Sequence, residues 1–383
     1  MDLTQEQLSI QKMVRDFARK EIAPRSAEYD QKGEFPYDLI RKAADLGLLG
    51  VPFPEEYDGA GLDYMSYALV IEEISKVDSS VGITILTHTS NSMNPIWEFG
   101  TEEQRKKYIP PLARGEKIAA YCLTEPNAGS DARALETTAI EEGDHFVMNG
   151  SKVFITNGSV AETYVVVART DPELGTKGIS MFILEKGMEG LRPGKKEDKM
   201  GWRASDTTEV IFENVKVPKE NLLGARGRGF YQAMKQLAAG RFSVAALSLG
   251  IAEGAFEEAL KYSKQREQFG KPICEFQAVQ AKLADMAVGI ACGKHLTYRA
   301  ARLRDRGEDV TTAAAMAKLY CSELAMENTT EAVQIHGAYG ITKDYPVERF
   351  MRDAKACTIG EGTSEIQRII IAKQMVKGAF DWT

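Results

Sequence analysis

The sequence predicts a multidomain α+β chain in which a helical N-terminal part and a long-helix C-terminal part flank a smaller, β-rich middle. Three observations carry that prediction. The texture of the chain changes twice along its length, the middle stretch holds short β-branched runs bounded by turn residues, and no proline interrupts residues 229–266. A length of 383 residues suits two or three domains, each able to bury its own core. The changes of texture place the boundaries at 1–117, 118–222 and 223–383.

The first part reads as helices separated by short turns. Thr4 and Gln7 stand at capping-box spacing, and Leu8, Ile10, Met13, Val14 and Phe17 follow as the apolar positions of a helical pattern. Further helices are expected over 37–48 after Pro36, over 63–76 and over 101–112, with Pro52, Pro54, Gly59 and Gly61 in the turns. Residues 80–99 are apolar and hydroxyl-rich, which reads as a buried helix and its connector. In the middle part, Tyr164–Arg169, Ile179–Leu184 and Glu209–Phe212 predict strands of a compact antiparallel domain. Asn149-Gly150, between two apolar runs, predicts a two-residue hairpin turn, because both residues tolerate positive φ. After Pro218, helices are expected over 229–266, 276–306 and 310–336, and their length and apolar stripes point to a bundle core.

Composition narrows the function. The 48 basic and 55 acidic side chains leave a net charge of −7, mixed along the chain, which argues against a nucleic-acid partner. Five scattered cysteines give no disulfide framework, and the four histidines lack metal-ligand spacing, so no metal is expected. The N-terminus has neither the basic start nor the apolar stretch of a secretory signal. No run approaches the ~18 apolar residues of a membrane span, so a cytoplasmic protein without membrane contact is expected. Gly224–Gly229 has the wrong internal spacing for a dinucleotide fingerprint and reads as a turn before a helix. Pro272 after Gly270-Lys271 excludes a Walker lysine, and no G-x-S-x-G elbow marks a serine hydrolase.

Two segments carry residues suited to chemistry. In Tyr121–Asp131 an apolar strand start runs into hydroxyls, Pro and Gly. This reads either as a capped turn or as a cradle of N–H and hydroxyl groups for a polar ring edge or a pyrophosphate. In Thr358–Gln367, Glu361 stands between Gly360 and Gly362, where the backbone can approach a ligand closely. It reads either as a solvated acid or, with water excluded by an apolar ligand, as a base of raised pKa. Ser364 and Gln367 stand at capping-box spacing for the helix that follows.

These segments, with four others in the same order, resemble the acyl-CoA dehydrogenase family over nearly the whole chain. The motifs are Tyr121–Asp131, V-F-I-T-N-G at 153–158, Gln265–Pro272, Ala332–Gly337, Tyr345–Arg349 with Met351–Asp353, and Glu361–Gln367. The resemblance implies a helical N-terminal domain, a middle antiparallel β domain and a C-terminal four-helix bundle. It also implies FAD as cofactor and dehydrogenation of an acyl-CoA thioester to the 2-enoyl-CoA, with Glu361 removing the α-proton. The position from which some relatives supply the base, just before Arg241, is here Gly240.

By the same resemblance, Tyr121, Leu123, Thr124, Gly129 and Ser130 reach the isoalloxazine ring and pyrophosphate, with Phe154, Ile155 and Thr156 over the ring's other side. Arg266, Gln268, Phe269, Gln277, Gln334, Ile335, His336, Gly337 and Ala338 are expected at the adenosine end of a neighbouring subunit's FAD, and Thr363, Ser364 and Glu365 near the pyrophosphate and ribose. Ser130, Arg241 and Gly362 match substrate-contacting positions, although Ala238-Ala239 replaces a polar pantetheine contact of relatives. The implied partners are an electron-transfer flavoprotein and three further copies of the chain, in a dimer of dimers.

For the acyl group, the absence of Lys and Arg between Lys76 and Arg105 argues against a dicarboxylyl substrate. Gly360, where short- and medium-chain relatives carry Tyr, leaves room for a branched or alicyclic group. The hydroxyl-rich wall around Asn91 either faces that group or satisfies helix carbonyls. A short straight chain and a branched or cyclic one both stay open. The alternatives to a dehydrogenase are a flavin oxidase of the same fold and a non-catalytic CoA-binding scaffold.

Overall fold

The capping box at Thr4 forms: its hydroxyl accepts from the Gln7 N–H and the Gln7 side chain accepts from the Thr4 N–H, both at 3.1 Å, and α1 follows over Gln5–Phe17. These are features of a computed structural model that describes residues 3–378. Through a π-helical turn, Ala18–Ile22, the chain continues into α2 (Ala23–Lys32), α3 (Tyr37–Asp45), α4 (Tyr64–Ser75), α5 (Ser79–Leu86), α6 (Asn94–Phe99) and α7 (Glu102–Ala113). Asp63 caps α4 by accepting from the Ser66 N–H at 2.7 Å, and Thr101 with Gln104 builds a second capping box at α7.

The expected connector within residues 80–99 is absent. Helix α5 passes without a break into a π-helical stretch, Thr87–Met93, and then into α6. Apart from Lys76 and Val77, every residue from Met65 to Ile96 is buried, so a loop here would strand its backbone polar groups. His88 fixes the stretch from inside. Its Nδ1 accepts from the Ala119 N–H at 3.0 Å, which leaves the proton on Nε2 to be donated to Leu112 O at 3.1 Å. Burial pushes its pKa down to about 4, so it is a neutral core histidine.

The middle part is a seven-stranded sheet of β1 (Ala119–Cys122), β2 (Thr138–Glu142), β3 (His145–Thr156), β4 (Thr163–Arg169), β5 (Ile179–Glu185), β6 (Leu191–Lys196) and β7 (Thr207–Pro218). The order is β1-β4-β2-β3-β7-β6, with β5 on β4. Most pairs are antiparallel, but β4 pairs in parallel with β1 from Ala119↔Thr163 to Cys122↔Val166, and touches β2 in parallel at Thr138↔Arg169. Parallel pairing needs a long excursion between the partners, and the β2–β3 hairpin fills it.

That hairpin does not turn at Asn149-Gly150 as expected. The turn is at Gly143-Asp144, with Glu142 opposite His145, and β3 runs straight through Asn149-Gly150. Gly150, at φ 142°, lies where the β3–β7 register shifts, and a Cβ there would stand 2.6 Å from Thr137 Oγ1. The Asn149 side chain accepts from the Asn214 N–H at 2.8 Å. The dipeptide therefore makes a bulge, which asks for the same backbone freedom as a turn.

The C-terminal part rests on three long helices, α8 (Gly229–Gln265), α9 (Gln277–Asp305) and α10 (Thr311–His336), joined by α11 (Val347–Cys357) and α12 (Ser364–Val376). A small hairpin of β8 (Glu267–Gln268) and β9 (Lys271–Pro272) connects α8 to α9. Buried residues of α8 share one core with α4, α5 and α10, so the two helical parts pack as a unit. Among the described residues, no helix is long and apolar enough to cross a membrane.

A buried ion pair braces the β part where it meets the loop after β1. Lys152 of β3, 0% exposed, donates to Glu125 Oε1 at 2.7 Å and to Leu123 O at 3.0 Å. Glu125 also accepts from the Glu136 and Thr137 N–H groups. Burial works against the Glu125 charge, but the Lys152 ammonium and these donors hold its pKa below the usual carboxylate range. Replacing Glu125 by Leu leaves the buried Lys152 ammonium with only the Leu123 carbonyl and no counter-charge, and takes the partner from two backbone N–H groups. The expected loss is about 3–5 kcal/mol in the urea unfolding of the flavin-loaded protein. A loss under about 1 kcal/mol would show that the pair is effectively in water.

Candidate active site

Glu361 lies in the turn between α11 and α12 with φ 53°, a left-handed conformation that costs a non-glycine residue roughly 1–2 kcal/mol. Its neighbours hold it there. Lys318 of α10, fully buried, donates to Gly362 O at 2.8 Å. Gln367 donates to the same carbonyl at 2.9 Å and to Glu361 O at 3.3 Å. Gly362 itself has φ 92°, and a Cβ on it would lie 2.7 Å from Gln367 Nε2. Because Gln367 is turned back onto these carbonyls, the expected Ser364–Gln367 capping box does not form. The cap of α12 is Thr363, whose hydroxyl accepts from the Ile366 N–H at 3.3 Å.

The Glu361 carboxyl points towards α8 and the π-helical stretch. Its Oε1 accepts from Asn91 Nδ2, while Oε2 is buried with no partner. Opposite stands Gly240. A Cβ there would be 3.6 Å from Glu361 Oε2 and 3.3 Å from both Asn91 Oδ1 and Ser90 Oγ. The position of the alternative base is thus a notch facing the Glu361 carboxyl. Burial raises the Glu361 pKa above the usual carboxylate range, against the opposing pull of Asn91, Lys318 and Arg241. Burial also draws Lys318 down to about 8 and Arg241 down to about 10. Arg241, only 6% exposed and with its Nε unpartnered, belongs to this interior and not to the surface. The hydroxyls of Tyr67 and Tyr121 are buried without partners within reach of the Glu361 charge.

The hydroxyl-rich wall is mostly self-satisfied. Thr89 donates to Leu49 O at 2.8 Å, Ser92 to Thr87 O at 2.9 Å, and Ser90 pairs with Ser243 at 3.3 Å. The Ser90 carbonyl accepts from Gln236. Among residues 88–92, Asn91 alone turns its side chain onto Glu361.

Beside this carboxyl the loop after β1 is stapled to β3, since the Val153 N–H donates to Thr124 O at 2.9 Å. Leu123 and Thr124 are half-buried, Ile155 is buried, Thr156 is half-buried, and Gly129 and Ser130 stand exposed at the loop tip. Phe154, at φ 56°, leaves its ring 65% exposed. The second group of expected residues is elsewhere. Tyr262 stacks on His336 at 4.2 Å between ring centroids, which brings the ends of α8 and α10 together. Exposed Arg266, Gln268, Gln277, Gln334, Gly337 and Ala338 gather at that end with Phe269, 94% exposed. Ile335 and His336 point inward. From Gly240 to the end of α8 is about 38 Å at 1.5 Å per residue. That is beyond the span of one dinucleotide.

Sequence reasoning missed Lys318 and Tyr67, and read Gln367 as a capping residue and not as the clamp on Glu361 O and Gly362 O. Lys318 left a trace: it is the one lysine or arginine in the 26 residues of α10, set in an alanine-rich run.

A buried acid with one bare oxygen facing a notch, beside a loop fastened to a β-sheet, is a site suited to acid–base chemistry on an enclosed ligand. The N-terminal, middle and C-terminal domains of acyl-CoA dehydrogenases match residues 4–116, 120–215 and 227–376. A short-chain specific acyl-CoA dehydrogenase of Clostridium acetobutylicum is 52% identical, over 98% of this chain and 99% of that one. The solved butyryl-CoA dehydrogenase of Megasphaera elsdenii is 48% identical at a TM-score of 0.97, covering 98% of this chain and 99% of its own. A chain in a structure titled for the electron transferring flavoprotein of Acidaminococcus fermentans and flavin-based electron bifurcation is 52% identical, with the same TM-score of 0.97 and the same coverage of 98% and 99%. The protein belongs to the acyl-CoA dehydrogenase family, flavin-dependent oxidoreductases that use FAD.

Lys318→Met should remove both the anchor of the Gly362 carbonyl and a cation near Glu361. Losing a nearby cation disfavours the carboxylate, so the acid limb of the kcat/KM profile is expected to move to higher pH, with kcat reduced at least about tenfold. Lys318→Arg, which keeps the charge, should leave the limb closer to the parent's. An unmoved limb in Lys318→Met would remove Lys318 from the electrostatics of the site.

Proposed function

We propose that the chain oxidises a short acyl-CoA thioester between its α- and β-carbons, with Glu361 as the base that takes the α-proton. The observation that carries this reading is the unpartnered, buried Glu361 Oε2, facing the Gly240 notch on a turn held in a strained conformation. A raised pKa keeps the carboxylate basic enough to remove a weakly acidic proton. In this reading the backbone N–H of Glu361 helps hold the thioester oxygen where charge develops. Gly362 and Ser130 contact the substrate, Arg241 and Lys318 keep Glu361 ionisable, and the domains divide at 117 and 222.

The residues present fit FAD. The Tyr121 hydroxyl is buried without a partner, the loop at 123–130 offers Thr124 and Ser130 hydroxyls, and Phe154 presents a bare ring beside them. When bound there, FAD would supply the acceptor for the hydride leaving the β-carbon. Leu123, Gly129, Ile155 and Thr156 would border the ring, with Thr363, Ser364 and Glu365 towards the ribityl and phosphate side. The exposed set from Arg266 to Ala338 lies a helix length away, which supports its serving the FAD of another copy and hence a homotetramer. The names of the relatives support a short straight acyl group of butyryl type and an electron-transfer flavoprotein as acceptor.

One observation favours a second reading of the acyl group. A Cβ at Gly360 would meet only Ala356 O, at 3.5 Å, so the space beside the α-carbon is open and a branched or alicyclic group fits there.

Glu361→Gln should retain FAD and acyl-CoA binding but lose several orders of magnitude in dehydrogenation of butyryl-CoA with an artificial acceptor. Activity within about tenfold of the parent would end the assignment of Glu361 as base. In the same assay Gly360→Tyr should slow isobutyryl-CoA and cyclohexanecarboxyl-CoA more than butyryl-CoA. Equal slowing of all three would mean that the space at Gly360 does not select the acyl group.

A further inference from the structure

The contact between Asn91 and Glu361 is more than one hydrogen bond. Asn91 Nδ2 donates to Glu361 Oε1, and the two remaining oxygens, Asn91 Oδ1 and Glu361 Oε2, are both buried and both without a donor. Both border the notch at Gly240, 3.3 and 3.6 Å from where a Cβ on that glycine would stand. Asn91 is 7% exposed, on a π-helical stretch that Gln236 and Ser243 of α8 hold by hydrogen bonds to Ser90. Two donor-less acceptors bordering one buried notch repel while Glu361 is ionised. A proton on Oε2 turns the same arrangement into a ring of two hydrogen bonds, amide N–H to acid oxygen and acid O–H to amide oxygen.

We propose that Asn91 is a positioning residue whose amide grips the Glu361 carboxyl in both protonation states, by one hydrogen bond to the carboxylate and by two to the acid. This rests on the reading of Glu361 as the base. After the α-proton has moved to Oε2, that proton stays on Glu361 and is donated in a hydrogen bond to Asn91 Oδ1. The carboxyl is thereby kept in its productive rotamer, and the newly formed acid is stabilised where the substrate left it. The other groups facing Glu361 are Arg241 from α8, Lys318 from α10, Tyr67 from α4 and Tyr121 from β1. The two cations favour the carboxylate, and neither tyrosine hydroxyl makes a hydrogen bond to it.

The test uses the FAD-loaded parent, Asn91→Asp and Asn91→Leu, each compared with the same chain carrying Glu361→Gln. Infrared titration of the carboxylic-acid C=O band lost in the Glu361→Gln counterpart reads the protonation of the Glu361 site directly. Kinetics with butyryl-CoA and an artificial acceptor read kcat, KM and the acid limb. Asn91→Asp, nearly the same shape, sets two carboxyls across the notch, and such pairs share a proton. Its infrared midpoint and acid limb should both rise by at least about one pH unit, with the flavin absorbance unchanged. Asn91→Leu should lower kcat at least about tenfold while KM stays within about threefold.

A midpoint in Asn91→Asp within about half a unit of the parent overturns the proposal, as does an Asn91→Leu kcat within about threefold. If the infrared midpoint rises but Glu361→Gln remains active, the grip on the carboxyl stands and the base assignment falls.

Discussion

Burying an ionisable carboxyl with one oxygen left bare is the constraint on which this structure turns. A lone carboxylate moved into a protein interior loses several kcal/mol of hydration unless charges and donors replace the water. Glu361 is answered from three directions at once: the Lys318 and Arg241 cations, the Asn91 amide, and a turn clamped by Lys318 and Gln367. None of these groups hydrates the carboxyl fully. The shortfall is what keeps it protonatable, and the strain of a left-handed glutamate fixes where the bare oxygen points.

Helix α8 makes that placement possible. Gln236, Gly240 and Ser243 lie on one face, at intervals of four and three residues, and border the π-helical stretch, while Arg241 beside them adds a positive charge near the carboxyl. The other end of the same helix carries Tyr262, stacked on His336, and the exposed hairpin beyond it. One rigid element therefore spans both groups of site residues and holds them a fixed distance apart. On the β side, the Lys152–Glu125 pair does similar work at short range by fastening the loop after β1 to the strand that carries Phe154.

Features set by near neighbours were legible in the sequence. The capping box at Thr4 and the long C-terminal helices depend on residues a few positions apart. Asn149-Gly150 was misread because a bulge and a turn ask the same freedom of the backbone, and only the partner strand β7 decides between them. The cap of α12 was misplaced by one residue because Gln367 has better partners in the carbonyls of Glu361 and Gly362. The flanking glycines singled out Glu361 but left a solvated acid and a buried base both open, and only the family resemblance pointed to the base. The keepers of Glu361 were not legible: Lys318 acts on a carbonyl 44 residues away, and Asn91 on a side chain 270 residues away. The hydroxyls around Asn91 disguised it further, since Thr89 and Ser92 serve only backbone carbonyls.

The π-helical stretch Thr87–Met93 has a consequence for how such a site changes over evolutionary time. A π turn is in effect an α-helix with one residue too many, and each residue of an α-helix turns the chain by about 100°. Deleting a single codon early in this stretch would let the winding relax to α with α5 and α6 still in phase, and carry only the residues between the deletion and Met93 around by about that angle. Asn91 would leave the carboxyl and a neighbour would take its place, with no side chain exchanged by substitution. Insertions and deletions, usually tolerated only in surface loops, here offer a route to a new set of side chains facing the Glu361 carboxyl from inside a buried helix.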